Sequence, residues 1–309
     1  MLDVKRMRVL REVIAMGSFS AAADSLHLSQ SAVSQQVAAL EREVGMKLLE
    51  RTSDGPKLTK AGETLMDHAD AVLSRLAEAE RELSAIAGLE GGRVRVISFP
   101  SASATLLTRA VSLFRSRFPA IELELGEGEP EDSVPAIRAG DYDVALSFDF
   151  SAHPVEPGRD LERALLLEER MWVALPPGHP LAGGDAVRLE DLADDDWMCG
   201  RSGSCREHVI RLCREAGYEP QVSFDSDDYQ VLKGLVAAGL GVTLLPELAL
   251  AERPTGLELR PIAGRAATRR VWAVTREAST RSPATQAMVG VLVEAGERYT
   301  TQVAEAIAA

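Results

Sequence analysis

Residues 17–41, GSFSAAADSLHLSQSAVSQQVAALE, are poor in bulky apolar side chains yet carry a helical pattern. A segment that can bury so little must fold as a tight hairpin of short helices. From Ser29 onward the apolar residues Val33, Val37, Leu40 and Val44 recur at steps of four, three and four, which is one stripe of an α-helix with Ser29 placed as its N-cap. Turned away from that stripe, near the helix start, are Gln30, Ser31, Ser34 and Gln35. The helix before it begins at the cap candidate Ser18 and runs through Ala21, Ala22 and Ala23 to Leu26, with His27–Ser29 as the turn. Small alanines allow two short helices to cross closely, and Ala23, Leu26, Leu28 and Val33 are the expected corner core. A first helix from about Leu2 to Met16 adds Met7, Leu10, Val13 and Ile14 as a third wall.

Such a hairpin is small enough to offer its second helix to the major groove of double-stranded DNA. Glutamine pairs bidentately with adenine, serine bonds several base edges, and a helix N-terminus favours phosphate. A helical hairpin with a merely solvated polar face is the plain alternative. The stretch Leu48–Gly62 adds a central Asp54-Gly55 between strand-capable residues, the pattern of a short β-wing, with Arg51, Lys57 and Lys60 beside the helix.

Net charge bears on this reading. The chain carries −13 overall, which argues against a polyanionic partner, but residues 1–62 hold nine basic and seven acidic side chains, net +2, and the remainder carries −15. The acidity belongs to the later part.

At these residues, "GSFSAAADSLHLSQSAVSQQVAALEREVGMKLLERT" and "LTKAG", the sequence resembles the LysR-type transcriptional regulators. The resemblance is dense over residues 1–62 and looser beyond. It implies a winged helix-turn-helix in which Gln30, Ser31, Ser34 and Gln35 face bases, while Ser18, Ser29, Arg51, Lys57 and Thr59 lie near phosphates. Two positions depart from the family pattern: Ser31 stands where many members have proline, and Asp54 where members often have arginine.

From Leu65 on, apolar residues at Leu65, Ala69, Val72, Leu76, Ala79, Leu83 and Ile86 alternate steps of four and three, a heptad seam. A helix from Ala61 to Ala87 is roughly 40 Å long and wants a partner helix. The expected dimer contacts are Leu65, Val72, Leu76, Leu83 and Ile86. The resemblance implies the same pairing in a homodimer or homotetramer. Gly88–Val94 then breaks the helix as a hinge.

Beyond the hinge strands and helices alternate, an α/β pattern. A chain of 309 residues has room for about two domains. The expected division is 1–62 for the winged helix, 63–90 for the linker helix, and 91–309 for a two-lobed α/β domain. Lobe I would comprise about 91–162 and 267–300, and lobe II 163–266. The family resemblance implies a periplasmic-binding-protein-like domain with a small-molecule effector in its cleft. Open α/β sheets bind ligands at the carboxyl ends of their strands, and these ends are rich in hydroxyls. Ser98, Ser101, Ser103, Thr105 and Gly128 are expected on one side of the cleft, with Arg201, Ser202, Ser204, Ser226 and Asp227 opposite. Hydroxyls and backbone N–H groups at Ser98–Thr105 would suit an anionic group, although serines at helix starts also serve simply as caps.

Other classes stay open at this stage. Some members of the family sense peroxide through a cysteine pair, and Cys205 and Cys213 lie on one expected helix. Their eight-residue separation, about 12 Å, exceeds what a disulfide spans without unravelling. An enzyme or a cytoplasmic binding module is a more distant alternative; no G-x-S-x-G elbow, P-loop, H-E-x-x-H or complete G-x-G-x-x-G occurs. No cofactor and no metal are expected. The start of the chain mixes charge into its apolar positions and no long apolar run follows, so a cytoplasmic, membrane-free protein is expected, with RNA polymerase as a further partner of a regulator.

Overall fold

The structure is a computed structural model. It describes the chain except residues 1, 27, 53–54, 87–91, 153, 156–157, 159, 202, 252–255, 265–267, 278–280 and 309, together with the side chains of 51–52, 74, 77–86 and 302–308. Contacts divide it into two units, one of Met1–Ala87 with Arg138–Asp141, the other of Gly88–Ile137 and Tyr142–Ala309. Among the described residues no helix is long and apolar enough to cross a membrane.

The first unit begins with three helices, α1 (Val4–Ala15), α2 (Phe19–Ser25) and α3 (Gln30–Val44), then the antiparallel pair β1 (Leu49–Thr52) and β2 (Gly55–Leu58), then the long α4 (Lys60–Ile86). Each short helix starts at a side-chain cap: Asp3, Ser18 and Ser29 accept the N–H groups of Lys5, Ala21 and Ala32. Gly45 ends α3 at φ 74°, the left-handed region where glycine carries no Cβ penalty. Met7, Leu10, Val13, Ala22, Ala23, Val33, Val37, Leu40 and Leu48 form the core. Leu26 packs half-buried against it, but Leu28, expected in the corner, is 44% exposed. The chain turns after Leu26, so Leu28 falls on the outer side of the bend.

Helix α4 departs from the expected seam at its start. Leu65 is only 8% exposed and, with Ala69, belongs to the headpiece core, because the first turns of α4 close that core as a fourth wall. Val72 and Leu76 are 40% and 45% exposed. The side chains of Leu83 and Ile86, and most of the hinge expected at Gly88–Val94, lie outside the described residues.

The second unit opens with β3 (Arg93–Ser98), the one-turn α5 (Pro100–Ala102), a π-helical turn (Ser103–Leu107) and α6 (Thr108–Arg117). Then come β4 (Glu122–Glu127), α7 (Pro130–Ala139), β5 (Val144–Phe150) and β6 (Leu161–Leu175). Strand β3 pairs in parallel with β4 and β5. All of β5 is buried, because its two faces are both covered. Val144, Leu146, Phe148 and Phe150 meet the α6 side, while Ala145 packs with Ile137 of α7.

The remaining elements are β7 (Asp196–Cys199), α8 (Gly203–Glu215), β8 (Gln221–Asp225), α9 (Tyr229–Ala237), β9 (Thr243–Pro246), β10 (Glu258–Pro261), β11 (Thr268–Arg276) and α10 (Pro283–Ala308). Strand β6 serves both lobes. Its residues Leu161–Arg170 pair with β11, and Met171–Leu175 with β9 and β10. Strand β6 therefore changes partners near residue 170, beyond the lobe boundary expected at 162. Strand β11 then runs antiparallel between β5 and β6, and α10 packs on the sheet beside α6.

Candidate nucleic-acid interface and ligand cleft

On α3 the apolar stripe of Val33, Val37 and Leu40 faces inward, which leaves Gln30, Ser31 and Gln35 exposed and Ser34 half-buried at the flank. Neither the Gln30 nor the Gln35 amide has an intramolecular hydrogen bond among the described residues. Ser29 Oγ accepts the Ala32 N–H at 3.2 Å and pairs with Ser31 Oγ at 3.0 Å, so the cap ties the first turn together. Ser18 Oγ is likewise engaged by the Ala21 N–H at 3.0 Å. Lys57 is exposed on β2, whereas the Arg51 side chain and Asp54 lie outside the described residues.

Thr59 is more committed than its sequence position suggests. Its hydroxyl donates to the Lys47 carbonyl at 2.7 Å and accepts the Gly62 N–H at 3.1 Å, capping α4 and fixing the base of the wing. Glu41, on the last turns of α3, takes the N–H groups of Leu48 and Leu49 at 3.0 and 3.4 Å and the Lys47 ammonium at 2.6 Å. Helix and wing are thus held as one piece.

In the second unit the cleft between the lobes holds two cavities. The larger, about 540 Å³, is lined from lobe I by Ser101, Ala104, Thr105 and Glu127 and from lobe II by Asp227, Asp228, Tyr229 and Lys233, among others. A smaller one, about 30 Å³, is lined by Glu129, Glu131, Ser204, Cys205, Ser226 and again Asp227 and Tyr229. Behind the larger cavity, Arg269 donates to Glu169 Oε1 at 2.7 Å and to Ser101 Oγ at 3.0 Å, and its guanidinium lies 5.0 and 4.7 Å from the Phe99 and Phe148 ring centres. Glu169 takes the Leu248 N–H on its other oxygen at 2.7 Å.

Known proteins share this architecture. Residues 87–297 match the LysR substrate binding domain, and residues 4–63 match the bacterial regulatory helix-turn-helix protein, lysR family. The chain belongs to the LysR family of transcriptional regulators. It is 35% identical over 254 residues to the transcriptional dual regulator GltC of Bacillus subtilis (strain 168), covering 81% of this chain and 83% of that protein. It is 31% identical over 251 residues to the DNA-binding transcriptional dual regulator OxyR of Escherichia coli (strain K12), covering 81% and 80%. The crystal structure of full-length CbnR complexed with its target DNA aligns at a TM-score of 0.61 and 22% identity, over 95% of this chain and 100% of that one, a likeness of fold. These matches point to regulators and to no catalytic family.

Within this LysR regulator the residues expected in the cleft divide into two groups. Ser101 and Thr105 line the larger cavity, Ser204 and Ser226 the smaller, and Asp227 both. Ser98, Ser103, Gly128 and Arg201 line neither, and Ser202 lies outside the described residues. The hydroxyls expected to cradle an anion are largely spent on the backbone: Ser98 donates to the Phe99 carbonyl, Ser103 to that of Ser98, and Thr105 to that of Ser101 at 2.6 Å. Sequence reasoning missed Glu127, Glu129, Glu131, Tyr229 and Lys233. The acidic run "EGEPE" at 127–131 was their one visible signal, since it follows a strand end where ligands bind.

All three cysteines are free thiols. Loss of surrounding water pushes the Cys205 thiol up despite the pull of Arg269 and its contact with the Tyr229 hydroxyl at 3.5 Å. Burial likewise raises Cys199, and pushes Cys213 up to about 11. Neutral thiols are weak nucleophiles, and at each cysteine burial outweighs the neighbours that favour the thiolate. His208 is buried and stacked on Phe150 at 3.6 Å, a packing role.

Proposed function

We propose that this regulator reads operator DNA as a pair of chains joined through α4, and that a small-molecule effector in the interlobe cleft controls it. Gln30, Ser31, Ser34 and Gln35 read base edges in the major groove. Ser18, Ser29, Arg51 and Lys57 meet phosphates, with Thr59 setting the wing that carries two of them. Exposed Val72 and Leu76 on α4 supply apolar surface for the partner helix, and a two-fold pair reads two half-sites. RNA polymerase is the further partner such a regulator engages on its promoter. The effector shifts the balance between arrangements only as far as it binds one of them more tightly.

The observation that carries this reading is the outward pair of amides on the first turns of α3, without hydrogen bonds among the described residues, on a helix whose inner face is used by the core. Genomic footprinting of bound DNA identifies the operator. On that operator Gln30→Ala costs about 1–3 kcal/mol and relaxes base preference, whereas Lys57→Ala weakens specific and random DNA alike. Equal losses from both substitutions on both kinds of DNA would refute the assignment.

A further inference from the structure

The two cavities of the cleft share Asp227 and Tyr229 and so adjoin. Together they are large enough for a small organic molecule, and the floor of the larger is apolar, with Pro100, Ala104, Leu248 and Ala249. Their charge is one-sided. Glu127, Glu129, Glu131, Asp227 and Asp228 all line them, and the one cation among the described lining residues is Lys233, whose ammonium donates to the Ala249 carbonyl at 2.9 Å.

Several places where an anion would be held are already filled from within the chain. Glu131 accepts the Ser204 N–H at 2.7 Å and the Ser204 hydroxyl, on the N-terminal turn of α8. Asp228 accepts the Gln230 N–H at 2.7 Å on the first turn of α9, and Asp227 takes the Arg201 N–H at 2.9 Å. Arg269 is turned to Glu169 and Ser101 and is almost wholly buried. Glu127 and Glu129 are different: among the described residues neither side chain makes a hydrogen bond or an ion pair, so both carboxyls are left without a direct partner at the cavities. The crowding shows in Glu129, which burial pushes up to about 7 against the pull of Arg269, with Glu131, Asp227 and Asp132 adding to the rise. No three of the described acidic, histidine or cysteine side chains are grouped so as to hold a metal ion.

Resting on the reading of this cleft as the effector site, we infer that the effector carries an organic cation, an ammonium, amidinium or guanidinium on a short aliphatic stem, held by Glu127, Glu129 and Asp227. Its stem lies over Pro100, Ala104 and Leu248. Charge-assisted hydrogen bonds to carboxylates are the strong ones, and here the acceptors stand ready. A carboxylate ligand would instead meet a lining in which acidic side chains outnumber the single lysine.

Titration calorimetry of the full-length protein with putrescine, agmatine and L-arginine, beside succinate and 2-oxoglutarate, tests this. One or more of the three cations is expected to bind once per chain, with magnesium chloride failing to compete. Glu127→Gln and Glu129→Gln, shown folded by circular dichroism, each weaken that binding about tenfold or more. Dicarboxylate binding that the cleft-filling Ala104→Trp abolishes, with the cations silent, overturns the charge class and leaves the cleft as the effector site. Cation binding untouched by all three substitutions overturns both, and silence of all five probes overturns the charge class.

Discussion

Arg269 and Glu169 are cross-strand partners on β11 and β6, the second of which serves both lobes, and their side chains meet at 2.7 Å with almost no exposure to solvent. Glu169 favours the protonated Arg269 guanidinium against the cost of burial, while Ser101 Oγ accepts from the guanidinium and the Leu248 N–H donates to Glu169. The pair therefore ties the start of α5, the interlobe strands and the segment after β9 to one point. Breaking a buried pair leaves an uncompensated charge, so Glu169→Ala is expected to destabilise the chain by about 3–5 kcal/mol. Replacing both partners, Glu169→Leu with Arg269→Met, should recover most of that loss. Urea unfolding of the three variants decides it; a double variant as unstable as the single one would mean that the cost is not electrostatic.

A second interlobe tie is weaker and more exposed. Glu131, on the first turn of α7, reaches Ser204 on α8, next to Gly203, whose φ of 75° is one that L side chains rarely adopt. A carboxylate on a helix N-terminus contributes about 0.3–1 kcal/mol at an exposed site. Glu131→Ala should therefore leave unfolding nearly unchanged and speed amide hydrogen exchange at Ser204. Unchanged exchange would show that the contact holds nothing.

Glu129 makes stability depend on pH in a defined direction. Its value in the folded chain is about 7, above the ordinary 4.5, because burial disfavours its charged form. Between those values the folded chain keeps a proton that the unfolded chain has lost. This contribution is fully present below pH 4.5 and is lost as pH rises through 7, by roughly 3 kcal/mol at most. Glu129→Gln removes the ionisation, so relative to wild type it should gain stability at pH 8 over pH 5. Superimposable pH profiles of the two proteins would contradict the assignment; the comparison cancels every other titrating group.

The parts of this regulator that were readable in advance are those whose signal is local. Ser18 and Ser29 mark the starts of α2 and α3 because a cap is a two- or three-residue event. Strand β3 shows its alternation directly in RVRVIS at Arg93–Ser98. Strand β6 carries an uninterrupted apolar run only in its second half, MWVAL at 171–175. Its first half, "LERALLLEER", carries charge at both ends and no clean alternation, since one end is half-buried and the strand changes neighbours along its length. Leu28 and Leu65 were misplaced for a related reason: periodicity gives the apolar face, but which wall that face meets depends on the direction of the turn after Leu26 and on how α4 leaves the wing. The Arg269–Glu169 pair lies a hundred residues apart in sequence and follows only from strand register, which one sequence does not display.

Register also explains why a substitution that ordinarily favours helices should damage this one. Gly62 lies in the first turn of α4, where Ala would normally gain about 1 kcal/mol of helix propensity. A Cβ at Gly62 would stand 2.2 Å from the Leu48 carbonyl oxygen, the same atom that accepts the Thr59 N–H at 2.9 Å at the base of the wing. The neighbour is backbone and cannot swing aside, so the wing must separate from α4 and Thr59 must loosen its grip on Lys47. Overpacking of this kind costs about 1–3 kcal/mol, more than the propensity gained. Gly62→Ala should lower headpiece stability, seen as faster hydrogen exchange in α1–α3, and weaken operator binding while leaving cleft binding intact. A variant with unchanged exchange would mean that the wing stands off α4 in solution, and the contact argued here would fall.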